Sequence, residues 1–316
     1  MPWLLNGILI LSGSVLGLIT AGVYFLQEKL LYLPDMPTRT LEEMPEEYGL
    51  TYEDVQFEAS DKVKLHGWLI TQSTPAATRE APTLIYFHGN AGNISHRLPD
   101  VRHLINQVNC NVFMVSYRGY GRSQGKPTEL GLIRDAEAAF RYVLQHPALD
   151  RSKLFAFGKS VGGAVAFSLA ARHEEQLAGI IVENTFLSIN EMIDALLPAL
   201  RPFKFLNRNT WNNVRRIENL QLPILFLSSL DDEIVPSRHM RELYHAAKGT
   251  HLKKLELFEN ATHNDTWYMG GPRYLDTISE FIEQAFQQRR AVGDKHESVD
   301  STVTEPGADS QSKKTN

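Results

Sequence analysis

A single cysteine, Cys110, is the only thiol in this 316-residue chain. No intrachain disulfide can form, and with no histidine beside it Cys110 reads as a small structural residue. A basic stripe is also missing: 32 Lys and Arg stand against 37 Asp and Glu, for a formal charge of −5. Such a balance exerts no pull toward nucleic acid. There is no G-x-G-x-x-G, no P-loop and no Cys/His spacing suited to a metal, so neither cofactor nor metal is expected. No internal repeat is found. Charge is absent from Trp3 to Leu26, and Leu, Ile, Phe, Tyr and Trp are absent from residues 291–316.

The two absences at the ends have opposite meanings. About 24 uncharged helical residues reach roughly 36 Å, enough to cross a bilayer with some tilt. The basic n-region of a cleaved signal peptide is lacking, so residues 1–28 are expected to form an uncleaved single-pass anchor. Tyr24 and Tyr32 suit its interfacial belt. Lys29 and Arg39 beyond the span leave topology and organelle open. Residues 29–50 read as a Pro- and Glu-rich connector. At the other end, 291–316 cannot offset its ordering entropy and is expected to be a disordered tail.

Between them, 51–290 alternates. Val55–Glu58 and Val63–Ile70 suggest a hairpin. Short apolar runs follow at Thr83–Phe87, Val112–Tyr117, Leu154–Phe157, Gly179–Val182, Ile224–Ser228 and Leu255–Phe258. Helical segments separate them, including Ser95–Val108, Thr128–Gln145, Val161–Ala171 and Arg238–Ala247. A last helix is expected over Arg273–Gln287. The pattern predicts an α/β fold with a mostly parallel, doubly wound sheet covered on both faces and a mixed edge. Residues 186–219 break the rhythm with no strand and many apolar side chains, the composition of a cap over a site.

Gly158-Lys159-Ser160-Val161-Gly162 follows one of these strands and opens a helix rich in Gly and Ala. That strand–turn–helix setting is what lifts a G-x-S-x-G pattern above chance and makes Ser160 a candidate nucleophile. A serine hydroxyl needs a base, and on such a sheet the partners follow in the order Ser, acid, His. Asp231, Asp232 and Glu233 lie just past an apolar strand. Asp232 is the preferred acid because it sits between the strand end and Pro236, and Asp231 is the alternative. His263 follows the final strand and is the expected base. An oxyanion hole needs two preorganised N–H donors. Val161 supplies one, and the Gly-containing turn His88–Asn93 the other, at Asn90 or alternatively Ala91. His88 itself reads as a brace for that turn. Arg118 and Arg122 read as fixing the loop 117–123 by hydrogen bonds rather than meeting an anionic head group. Three N-x-[ST] sequons, at Asn93, Asn260 and Asn264, all fall in the expected catalytic loops, where a glycan would obstruct the site.

The strings His88–Asn93, Tyr117–Gly121, Ser160–Ala166, Val182–Phe186 and Thr262–Trp267 together resemble a family of single-pass membrane serine hydrolases. It includes alpha/beta-hydrolase domain-containing protein thirteen and the yeast bud-emergence (BEM) hydrolases. The resemblance spans roughly residues 50–285 and includes an amino-terminal anchor. It implies the α/β-hydrolase fold and places nucleophile, acid and base on Ser160, Asp232 and His263. Lys159 stands where relatives often have Arg, and the Asp231-Asp232 pair doubles the acid. The family includes lipid hydrolases and protein depalmitoylases, which implies an acyl lipid or an S-acylated protein as substrate and an ester or thioester as the bond. Two other readings remain: a serine peptidase on the same fold, and a non-catalytic membrane scaffold.

Overall fold

The computed structural model describes residues 2–300, with parts of the first and last helices described by backbone alone. Among the described residues eight strands form one sheet in the order β1-β2-β4-β3-β5-β6-β7-β8. β1 (Thr51–Glu58) and β2 (Lys64–Thr71) make the expected hairpin, and β2 pairs antiparallel with β4 (Asn111–Ser116). β3 (Thr83–Phe87), β5 (Leu154–Lys159), β6 (Gly179–Glu183), β7 (Ile224–Ser229) and β8 (Lys253–Phe258) complete a parallel set with β4. A strand in such a sheet is buried on both faces, which is why these segments read as unbroken apolar runs.

Alternate residues of each strand feed two cores. Ile85, Phe113, Ala156 and Phe226 face α4 (Glu129–Gln145), α5 (Val161–His173), α7 (Asn213–Ile217) and α8 (Arg238–Ala246). Leu84, Tyr86, Met114 and Phe157 face α3 (Leu98–His103) and α9 (Thr266–Asp300). α2 (Pro75–Glu80) is a short surface turn between β2 and β3. Thr128 caps α4 by accepting from the Gly131 amide at 3.0 Å, which fixes where that helix begins.

The insertion after β6 folds as α6 (Ile189–Leu196), a 3-10 segment (Pro198–Leu206) and α7. It lies over the carboxyl edge of the sheet, where the loops after β3, β5, β7 and β8 converge.

Several sequence expectations change, and a membrane-spanning helix is not shown. α1 spans Pro2–Leu31, 30 residues, and so runs past residue 28. Among the described residues no helix is long and apolar enough to cross a membrane. Tyr32 does not belong to an interfacial belt: it is 2% exposed, inside the catalytic domain, because Trp211 and Asn209 offer its hydroxyl partners that a head group would otherwise supply. The connector is docked rather than free: Arg39 donates to the carbonyls of Gly121 and Ser123, at 2.9 and 2.7 Å. Within α9 the backbone is non-helical at Gly271 (φ 49, ψ −133), so a short turn from Thr266 precedes the last helix, which begins where expected, just after Gly271, but continues past Gln287 to Asp300. Residues 291–300 are thus helical. Residues 301–316 of the expected tail lie outside the described residues.

Candidate active site

Ser160 stands between β5 and α5 with φ 53 and ψ −119, a conformation sterically costly for any residue with a Cβ. Neighbours hold it there: its amide donates to the Glu183 carbonyl at 2.8 Å, and its own carbonyl accepts from Thr185 Oγ1 at 2.8 Å. The turn closes only because its flanks are glycine. A Cβ on Gly162 would lie 2.0 Å from the Phe87 carbonyl oxygen, and one on Gly158 would lie 2.2 Å from the Gly162 oxygen. The result presents Ser160 to a cavity of about 450 Å³ shared with Val161, Gly89, Asn90, Ala91 and His263. As the first residue of α5, Val161 has an N–H with no intrahelical acceptor.

The expected acid and base are joined. His263 Nδ1 lies 2.7 Å from Asp232 Oδ2, and the two side chains are 7% and 1% exposed. The other oxygen of Asp232 accepts from the amides of Ile234 and Val235, at 2.9 and 2.7 Å. Those bonds aim the carboxylate and leave one oxygen for the imidazole. Asp231, the alternative, is exposed, and only its backbone amide is engaged, with the Ala261 carbonyl. Glu233 accepts from the His263 amide at 3.1 Å.

Asn90 lines the cavity, and its side-chain oxygen accepts from the Leu33 amide and the Tyr120 hydroxyl, at 3.1 and 2.9 Å. His88 braces this turn from beneath. Its Nδ1 lies 2.7 Å from the Gly89 carbonyl, and Tyr117 donates to its own carbonyl at 3.0 Å. Burial holds the imidazole neutral, with its pKa down to about 3. Arg118 fixes its loop through Asp135 and Asp61, and Arg122 reaches Asp54 at 3.3 Å. Among the described residues no cluster of three or more His, Cys, Asp or Glu side chains is placed to hold a metal ion.

Two groups escaped sequence reasoning. Asn184, at the end of β6, donates to Ser229 Oγ (3.1 Å), Thr266 Oγ1 (3.0 Å) and the His263 carbonyl (3.1 Å), and accepts from the Ser229 amide (2.8 Å). It thereby ties the loop of His263 to the strand that leads into Asp232. Its only signal in the sequence is a polar residue ending an apolar strand. The second is a buried charge cluster beneath the turn. Lys159 Nζ lies 2.7 Å from Asp100 and 3.2 Å from Glu183. Tyr86 and Tyr274 donate to the same two carboxylates, at 3.0 and 2.6 Å. Burial opposes the ammonium charge, but the two acids outweigh it and Lys159 is held more firmly protonated than in water.

The chain has close relatives in sequence. The Arabidopsis thaliana alpha/beta hydrolase domain-containing protein WAV2 is 40% identical, over 87% of this chain and 94% of that protein. Protein bem46 of Schizosaccharomyces pombe is 39% identical over 83% and 87%. The chain belongs to the bem46-like family of α/β-hydrolases. A further relative, 35% identical over 87% and 96%, is the Saccharomyces cerevisiae membrane protein YNL320W. Residues 79–216 match the family described as serine aminopeptidase, S33. Among solved structures, the Pyrococcus furiosus esterase Pf2001 superposes with a TM-score of 0.63 at 20% identity, over 77% of this chain and 94% of that one. The hyperthermophilic esterase of Pyrobaculum calidifontis gives 0.58 at 15%, over 76% and 88%. Both express the likeness of fold.

Proposed function

We propose that this bem46-like hydrolase is a membrane-anchored serine hydrolase that cleaves acyl ester or thioester bonds, in a lipid or in an S-acylated protein. The observation that carries the reading is the 2.7 Å contact of His263 with a buried Asp232 at a cavity that Ser160 enters from a strained turn. Ser160 Oγ attacks the acyl carbonyl carbon while His263 takes its proton. Asp232 holds the tautomer that leaves the far ring nitrogen free to do so and stabilises the imidazolium. The developing oxyanion is met by the N–H groups of Val161 and Asn90. Collapse of the tetrahedral intermediate expels the alcohol or thiol, protonated by His263. Water activated by the same base then releases the acid and restores Ser160.

The lining of the cavity favours this over a peptidase. It includes Met192, Ile193, Leu196, Leu200 and Phe203 from the insertion, and no described carboxylate of Asp or Glu lines it to pair with a substrate ammonium group. An aminopeptidase would need such a partner. Anchoring rests on the uncharged run Trp3–Leu26 within the 30-residue α1, and a family member named as a membrane protein supports it.

The test is covalent labelling of the full-length protein by a fluorophosphonate, beside Ser160→Ala. Labelling of the first and not the second supports an activated serine. A folded wild type that resists the probe would overturn the enzyme reading in favour of a membrane scaffold.

A further inference from the structure

The end of α1 is fastened to the site by more than chain continuity. Gln27 Oε1 accepts from the Arg208 amide at 2.7 Å, and both Glu28 oxygens pair with Arg208 Nη2 at 2.8 Å. Tyr32 donates to Asn209 Oδ1 at 3.1 Å and accepts from Trp211 Nε1 at 3.0 Å. One residue on, the Leu33 amide donates to Asn90, the residue proposed to bear an oxyanion donor. Residues 27–33 therefore bridge the return limb of the insertion and the turn after β3. In doing so they become part of the cavity: Gln27, Leu30, Leu31 and Leu33 line it together with the insertion.

The rim has a matching character. The cavity-lining residues that are exposed are Leu30, Ala91, Leu196, Leu197, Ile234 and Asn264, five of them apolar. Leu30 is 68% exposed, Leu196 47% and Leu197 52%, so α1 and the insertion both bring exposed leucine to the cavity. Rims around sites for water-soluble ligands are ordinarily polar. Here the apolar border lies about one turn from Phe25 and Leu26 of α1, which are also exposed.

We infer that the exit segment of α1, residues 27–33, forms one wall of an acyl-chain pocket and sets the preferred chain length, with the chain entering along α1 from the membrane. The inference rests on the acyl-hydrolase reading above. It makes the helix a specificity element as well as a tether. Leu31 packs against the core and Leu30 is the exposed lining residue of α1.

The experiment measures kcat/KM for full-length protein in detergent micelles on two series from butanoyl to palmitoyl: 4-nitrophenyl esters and S-acyl cysteinyl peptides. Comparison of the two series shows whether the chain arrives on an ester or a thioester. Leu31→Trp should lower the long-to-short ratio by roughly fourfold for each methylene it displaces, so tenfold or more overall. Leu18→Ala, an exposed position of α1 away from the cavity, should leave the ratio unchanged. An unchanged ratio in Leu31→Trp that still takes the fluorophosphonate label would overturn the inference alone. Failure of the wild type to label would overturn the enzyme reading and this with it. Because Leu31→Trp risks misfolding, the unaltered protein is also labelled with a fluorophosphonate carrying a diazirine on a long alkyl chain. Photocrosslinks to residues 27–33 support the wall, and crosslinks confined to other segments refute it.

Discussion

The Lys159 ammonium lies 2.7 Å from the Asp100 carboxylate, immediately before the residue that carries the proposed chemistry. Lys159, Asp100 and Glu183 have side chains 13%, 5% and 1% exposed, so three charges are buried with a net of one negative. Removing the cation leaves two carboxylates uncompensated in a poorly solvated space. Lys159→Met should cost about 3–5 kcal/mol. Lys159→Arg, which keeps the charge, should cost far less. Urea denaturation of both variants decides it, and equal losses would show that the charge is not what matters.

The choice between neighbouring aspartates is open to a direct contrast. Asp232→Asn keeps the shape but not the tautomer control and should lower kcat by roughly 10³–10⁴. Asp231→Asn, at an exposed position, should stay within about threefold of wild type. Ester turnover with unchanged thermal unfolding is the measurement, and a reversed order would move the acid to Asp231.

Asn184 makes four hydrogen bonds at φ 47, a backbone region that alanine disfavours. Asn184→Ala should destabilise by about 2–4 kcal/mol and lower kcat more than it raises KM, because the loops of Asp232 and His263 lose their tie. Normal kcat in a variant that still unfolds cooperatively would mean the loops hold themselves.

These expectations also show which parts of the site could be read in one dimension. Ser160, Asp232 and His263 were legible because each follows an apolar strand, and strand ends of a parallel sheet meet at one edge. The insertion was legible as a break in rhythm. Asn184, Asp100 and Glu183 were not, since their meaning lies in partners far away in the chain, such as Thr266 for Asn184, and no periodicity records such pairs. Tyr32 misled for a related reason. A tyrosine just past an apolar helix looks the same whether its hydroxyl meets a head group or Trp211. The end of the last helix is not legible because residues 291–300 lack the large apolar side chains from which a helical face is read.

His239 is buried, and neither ring nitrogen has a hydrogen-bond partner. Burial, with Arg238 adding to it, pulls its pKa down to about 4, and burial takes that of His88 to about 3. Unfolding lets both rings take up protons near pH 6.5, so their contribution to stability is intact above that pH and is lost as pH falls toward 4 and 3. His88 alone should account for about 2 kcal/mol between pH 7 and 5. His239→Leu should flatten part of this slope and gain about 1 kcal/mol at pH 7 by removing the unpartnered nitrogens. Chemical denaturation from pH 5 to 7.5 tests both, and an unaltered slope in the variant would mean His239 protonates freely in the fold.

Asn93 is fully buried, and its amide nitrogen donates to the carbonyls of Thr38, Arg39 and Thr40, at 3.2, 3.3 and 2.9 Å. No glycan should be found on it, on whichever side of a membrane the domain lies. Peptide mass analysis before and after glycosidase treatment should show no shift at Asn93, and a shift there would mean this turn is not formed when the chain is modified.

Glu28 and Arg208 take the slack out of the attachment. A domain on a flexible leash sweeps a hemisphere. One whose helix ends at Leu31, with Tyr32 already inside the fold, has no leash to swing on. With α1 as the proposed anchor, Ser160 is held at one fixed height and searches a plane. Encounter then becomes a two-dimensional problem, and turnover would follow how densely substrate crowds the membrane surface rather than how concentrated it is in the surrounding solution.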